Sequence, residues 1–214
     1  MSRKMPIKKL IAGFVIAAIA SMPISALAYP PGKPVAVNLS SRMVKAKSEV
    51  TARLINTKVG IVTFGFKKVI NYNSNSSYEV PASFAPKYTG TYRNSITIRT
   101  TSSPTSYGLL APVSPGVYRI SVTDSDQDVA SNTLFIPSVS VPSSVRVGRT
   151  SYVTVSSASP GSLVTVKIGS KSYKARVGSN AKAVVAFKIT TKSTKNVTVT
   201  VGSLSYKNIS VRSR

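Results

Sequence analysis

Two groups of side chains in this 214-residue sequence have types and spacing that invite chemistry. The first is Asp124-Ser125-Asp126-Gln127-Asp128, with carboxylates at alternate positions. Oxygen ligands at such spacing suit Ca²⁺. The segment departs from a calcium loop in two places, however. Val129 stands where the sharp turn needs Gly, and Phe135 stands where the twelfth position needs Glu. A polar hairpin turn accounts for the same residues. The expectation is therefore a turn, with Asp124, Asp126 and Asp128 kept only as secondary metal candidates. No other metal and no cofactor is expected. The second group is Lys167, Lys171, Lys174 and Arg176. Strand alternation sends Lys167, Lys174 and Arg176 to one outward face, with Lys171 beside them. Three cations on one face with a fourth beside them form a candidate polyanion patch. Tyr152 is the only aromatic expected near it, so recognition of nucleic acid by base stacking is not expected.

Other chemistry is excluded by what the chain lacks. It has no His, no Cys and no Trp. The commonest general base, thiol catalysis, disulfides and thiolate-ligated zinc are all ruled out. The five acids are Glu49, Glu79, Asp124, Asp126 and Asp128, and three of them share one loop. Ser and Lys are abundant, but no motif marks a Ser–Lys pair, and no enzyme is expected.

Charge divides the chain. The formal net charge is +24. Residues 29–214 hold 25 Lys/Arg against five Asp/Glu, a balance of +20. Every acid lies before residue 130, whereas Ser138–Arg214 holds 13 Lys/Arg and no acid. Such a field attracts wall polymer, acidic polysaccharide, nucleic acid or an anionic membrane; the bland alternative is a solvated basic surface.

The elements that must position these groups begin with the N-terminus. Arg3, Lys4, Lys8 and Lys9 precede an apolar run, Leu10–Ala20, and Ala26-Leu27-Ala28 follows Pro23. This is the layout of a secretory signal peptide, with cleavage after Ala28 and a mature start at Tyr29. The uninterrupted run is 11 residues, short of the roughly 20 that span a membrane. The start lacks the second Arg of a twin-arginine signal. No Cys provides a lipid anchor, and the C-terminus carries no apolar tail or wall-sorting motif. Export to the cell surface or medium is expected, with membrane contact only through the signal segment if it is uncleaved.

Beyond Tyr29 the chain reads as short β-runs with no helical periodicity. Tyr29–Pro34 is an extended lead-in with three prolines. The expected strands of residues 29–137 are Val35–Leu39, Val50–Ile55, Gly60–Phe66, Ser95–Thr100, Val117–Thr123 and Thr133–Ile136. Asn71–Ser77 is a polar loop with Tyr72, Tyr78, Tyr88 and Tyr92 nearby. It reads either as a binding loop or as an insertion that tyrosine anchors to the sandwich; the insertion is the simpler reading. Pro137–Pro142 reads as a linker. Residues 138–214 then show an edge run at Val145–Val147 and six alternating runs: Ser151–Val155, Leu163–Ile168, Ser172–Val177, Ala183–Ile189, Val197–Val201 and Leu204–Val211. Turn signals at this density with alternating strands indicate an all-β sandwich.

Ser114-Pro115-Gly116-Val117-Tyr118-Arg119-Ile120-Ser121-Val122-Thr123 resembles the penultimate strand of bacterial Ig-like domains. The resemblance puts Tyr118 in a tyrosine corner and Ile120 where antibody domains carry Cys. Ser48-Glu49-Val50-Thr51 also matches Ser151-Tyr152-Val153-Thr154, a faint internal repeat. Residues 29–137 and 138–214 thus resemble tandem Ig-like modules of exported surface proteins. The second has Val197 where the corner Tyr is expected. The resemblance implies a structural or adhesive role with another surface protein or an anionic envelope polymer as partner. Some surface Ig-like domains carry Lys–Asn isopeptide bonds helped by a buried acid; Glu79 with Asn132 is the one conceivable set here.

Overall fold

A computed structural model describes residues 33–214; the expected signal segment and Tyr29 lie outside the described residues. The described residues fall within one compact unit, inside which two β-sandwiches follow one another.

The first uses nine strands: β1 (Ala36–Leu39), β2 (Glu49–Ile55), β3 (Gly60–Ile70), β4 (Tyr78–Pro81), β5 (Ala85–Pro86), β6 (Ser95–Thr100), β7 (Thr105–Leu110), β8 (Gly116–Thr123) and β9 (Val129–Ile136). One sheet runs β1-β2-β7-β5 and the other β4-β3-β8-β9. β6 continues the β4 edge of β3, pairing with its first half. Alternation explains the register. Val50, Ala52 and Leu54 of β2 face Val62, Phe64 and Phe66 of β3, with Ile120, Val122, Leu134 and Ile136 closing the core. Sheet faces with period two bury alternate residues, and each large apolar side chain removed from water contributes about 1.5–3 kcal/mol. After β1 the chain changes sheets: Met43 bridges Phe135 of β9 in parallel.

The second sandwich repeats the plan. Its strands are β10 (Ser138–Ser140), β11 (Ser144–Val145), β12 (Thr150–Ser156), β13 (Leu163–Ile168), β14 (Lys171–Arg176), β15 (Lys182–Lys188), β16 (Thr194–Val201) and β17 (Leu204–Ser213). The sheets are β10-β12-β15 and β11-β17-β16-β13-β14. β11 lies parallel to β17, as Met43 does to β9. The repeat seen in sequence falls on equivalent strands: Val50 and Val153, on β2 and β12, are both fully buried.

Both sandwiches therefore carry the Ig-like strand order, and the first carries its corner. Tyr118 is 1% exposed. Its hydroxyl donates to the Ser114 carbonyl at 2.8 Å, which closes the turn into β8. Ile120 is fully buried. Gly116 packs closely beside it: a Cβ there would sit 3.1 Å from the Tyr118 ring. The second sandwich has buried Val197 at the matching place.

Three expectations are corrected. The segment read as a linker, Pro137–Pro142, contains β10, which pairs with β12. β4, β5 and β7, the last pairing with β2 at the centre of its sheet, are strands the sequence reading does not contain. β3 runs to Ile70, four residues beyond the expected strand.

Candidate functional site

The Asp124–Asp128 segment is a turn held by its first residue. Asp124 is 3% exposed. One carboxylate oxygen accepts from the amides of Asp126 at 3.0 Å and Asp128 at 3.1 Å. The other accepts from the Lys58 amide at 3.2 Å, tying the β8–β9 hairpin to the β2–β3 connection. A carboxylate saturated with backbone donors is a turn device. Asp126 instead pairs with the Lys58 ammonium. This contact is the first cause raising the Lys58 pKa above its ordinary value. Asp124, Asp126 and Asp128 do not converge, and no group of three or more acids among the described residues is arranged to hold a metal.

The basic group divides. Lys174 pairs across β13 with Thr165, and Arg176 with Leu163. Thr165 and Lys167 share a face. Lys167, Lys174 and Arg176 thus stand together, exposed, on the outer face of the β13–β14 edge. Arg176 also donates to the Gly161 carbonyl at 3.0 Å. Lys171 does not join them. It pairs with buried Ile168, so it carries the core-side parity and emerges at the rim of the sandwich. Tyr152 is 57% exposed but belongs to β12, on the other sheet, and does not interleave with the cations.

The outer face of β13, β14 and the neighbouring β16 carries Lys167, Lys174 and Arg176 among Thr165, Ser172, Thr198 and Thr200. All four ion pairs found among the described residues lie in the first sandwich. There Glu79 takes both Arg119 at 2.8 Å and Lys67 at 3.2 Å. Asn132 is turned elsewhere, donating to the Val37 carbonyl at 2.9 Å, so Glu79 and Asn132 do not form a cross-linking set.

The polar loop Asn71–Ser77 lies against the second sandwich. Asn73 donates to the Ser179 carbonyl at 3.1 Å. Beneath it Val117, Phe135 and Ala181 form a small apolar cluster with Met43, Val69 and Tyr72. Tyr72 meets Phe135 edge-on at 5.5 Å. Further along the junction the Tyr206 hydroxyl donates to the Pro137 carbonyl at 3.3 Å, and the Lys45 ammonium lies 5.2 Å from the Tyr206 ring. A cavity of about 410 Å³ opens at the junction, lined by Asn71, Tyr72, Ser74, Ser157, Ala181 and Lys182 among others. The four tyrosines near the loop do not form one site. Tyr72 anchors the loop, Tyr92 donates to the Ala111 carbonyl, and Tyr78 and Tyr88 are exposed.

No protein-family model matches the chain, and no curated protein sequence does. Solved structures align over most of its length. The D00-D0 domain of intimin is 13% identical over 83% of this chain and 96% of that one, with a TM-score of 0.33. Invasin, described as a bacterial integrin-binding protein, is 13% identical over 84% of this chain and 39% of that one, with a TM-score of 0.32. A fimbrial chaperone–tip adhesin complex is 11% identical over 81% of this chain and 98% of that one, with a TM-score of 0.34. Likenesses at this level carry no argument about activity. The Ig-like assignment rests on the strand order of the two sandwiches and on the Tyr118 corner.

Proposed function

We infer that the protein is an exported, non-enzymatic Ig-like module that makes structural or adhesive contacts at the bacterial cell surface or in the medium. Residues 29–137 and 138–214 are its two modules in this reading. The observation that carries it is how the described polar groups are used. Asp124 closes a turn, Tyr118 closes a corner, and Glu79 pairs two cations. These contacts build a scaffold, and an Ig-like scaffold acts through its surface.

A second reading is favoured by the unneutralised face at Lys167, Lys174 and Arg176. The second module attracts anionic polymers: wall polymer, acidic polysaccharide or extracellular DNA. Attraction of this kind is sequence-blind and salt-dependent.

One experiment separates these readings. The tagged full chain is expressed in a bacterial host, the culture is fractionated, and purified protein is added back to intact cells. The first reading expects a product beginning at Tyr29 outside the cytoplasmic membrane and retained on cells. Retention that survives high salt indicates a protein partner, and retention lost with salt indicates an anionic polymer. An intact product confined to the cytoplasm, with no retention on cells, contradicts both.

A further inference from the structure

Lys171 leaves the outer face and meets two other lysines. It begins β14, just after the Gly169-Ser170 turn. Lys188 ends β15, and Lys195 lies in β16 with its neighbour Val211 of β17 on the core side. All three line one small cavity at the open rim of the second sandwich, together with Ser170, Thr190 and Thr191. Its volume is about 180 Å³, below the ~300–1,000 Å³ of sites that enclose a whole small molecule. A cavity of this size takes a single group. Besides Tyr173, the lining residues include three that carry ammonium groups and three that carry hydroxyls.

Among the described residues no carboxylate pairs with those charges. No Asp or Glu occurs after Asp128, and none of the four ion pairs involves these lysines. Three like charges around one cavity repel, and an anion seated between them converts repulsion into charge-assisted hydrogen bonds. The rim is also positioned rather than loose. Tyr173, which lines the same cavity, donates to the Lys188 carbonyl at 3.1 Å. Gly169, at φ 58°, makes the turn that brings Lys171 back over Ile168. Ser213 accepts from the Ser193 amide at 2.7 Å and donates to the Thr191 carbonyl at 2.9 Å, fixing the segment between Thr191 and Lys195.

We propose that Lys171, Lys188 and Lys195 form a discrete binding site for one tetrahedral oxyanion, the phosphate or sulfate group of a larger ligand. The site deepens the anionic-polymer reading but stands on different residues from Lys167, Lys174 and Arg176, so each can fail alone. A polymer contributes one oxyanion to the rim cavity and lays further charges along the sheet face.

The test titrates the isotope-labelled 29–214 chain with sodium phosphate and, separately, sodium sulfate, followed by amide NMR with ionic strength held constant by chloride. The expected result is saturable shifts confined to residues 168–173 and 188–195. Lys171→Gln, Lys188→Gln and Lys195→Gln should each weaken binding roughly tenfold or more, as loss of a hydrogen bond to a charged group does. A triple Lys167→Gln, Lys174→Gln, Arg176→Gln variant should stay within about twofold, because long-range surface charge is largely screened. Tighter binding of glycerol phosphate than of a sulfated monosaccharide assigns a phosphate polymer as the source; the reverse order assigns a sulfated polysaccharide. Shifts that do not saturate, or that spread over all basic residues, overturn the proposal. So do equal losses from the rim and face variants. If the outer-face triple abolishes polymer retention while phosphate never saturates the rim, the polymer reading survives without this site.

Discussion

In the first sandwich the rings of Phe64, Phe66, Phe84 and Tyr118 meet across the core, with Phe66 and Phe84 stacked at 4.5 Å and Tyr118 edge-on to Phe84 at 5.7 Å. In the second, eleven valines fill most of the same volume, and Phe187 is the only ring among the buried residues of that cluster. The strand orders nevertheless correspond, down to the parallel contact between the early edge segment and the last strand. One topology is thus reached by two packings. Interlocking rings and a corner hydrogen bond specify the first. Stiff β-branched side chains on alternate positions specify the second, since valine keeps few rotamers on a pleated surface. The surfaces differ as much as the cores. The first sandwich pairs four of its twelve cations with carboxylates, and among the described residues the second leaves all thirteen of its own without one.

The sharpest way to break this comparison is at the corner. Tyr118→Ala should lower the stability of the first sandwich by about 3–5 kcal/mol, the usual range for removing a buried aromatic side chain. Hydrogen exchange at β8 amides measures it. Val197→Ala at the matching place should cost less, near the ~1.5–3 kcal/mol of a buried aliphatic side chain. Equal costs would mean that the Tyr118 ring and its hydrogen bond add nothing over a valine at the same place.

A smaller difference should appear at high pH. Burial holds the Tyr118 and Tyr107 hydroxyls above their ordinary value, which is near 10. The unfolded chain releases these protons first, so above about pH 10 the folded state binds more protons and stability falls as pH rises. Below that pH the contribution is fully present. The second sandwich has one tyrosine shifted the same way, Tyr206. Exchange protection should therefore fall more steeply with pH in β8 than in β16. Tyr118→Phe should flatten the β8 slope, and parallel slopes in both strands would refute the assignment.

The smallest effect concerns the ion pairs. Lys67 is 60% and Arg119 51% exposed at the side chain. Glu79→Gln should change stability by about 1 kcal/mol or less, as exposed pairs do. Thermal melting of the variant checks this, and a much larger loss would make Glu79 a structural anchor.

These contrasts explain what could be read from sequence. Leu163–Ile168 was legible to the residue because Val164, Val166 and Ile168 alternate strictly. Tyr118 was legible because a corner requires a local Pro-Gly turn beside a Tyr. β7 was not, since Thr105-Ser106-Tyr107-Gly108-Leu109-Leu110 buries only Leu109 fully and shows no alternation. β10 was hidden because three residues between prolines hold no period. At the candidate site, alternation put Lys167, Lys174 and Arg176 on one outward face, where they stand, but Lys171 has the other parity and goes with Ile168. Its meeting with Lys188 and Lys195 depends on three strands coming together, and charge has no periodicity that could announce it.

The anionic-polymer reading holds that charge segregated onto the second sandwich gives the protein a localised polyanion surface. The direct measurement is the affinity of the 29–214 chain for a glycerol phosphate polymer as a function of salt. Each neutralised phosphate contributes roughly 0.7–0.9 to the slope of log affinity against log salt. The account predicts that the triple variant Lys167→Gln, Lys174→Gln, Arg176→Gln lowers that slope by about 2–3. The exposed first-sandwich triple Lys33→Gln, Arg53→Gln, Arg99→Gln should leave it unchanged. Equal reductions from the two triples would contradict the account, because the attraction would then belong to the net charge and not to a face.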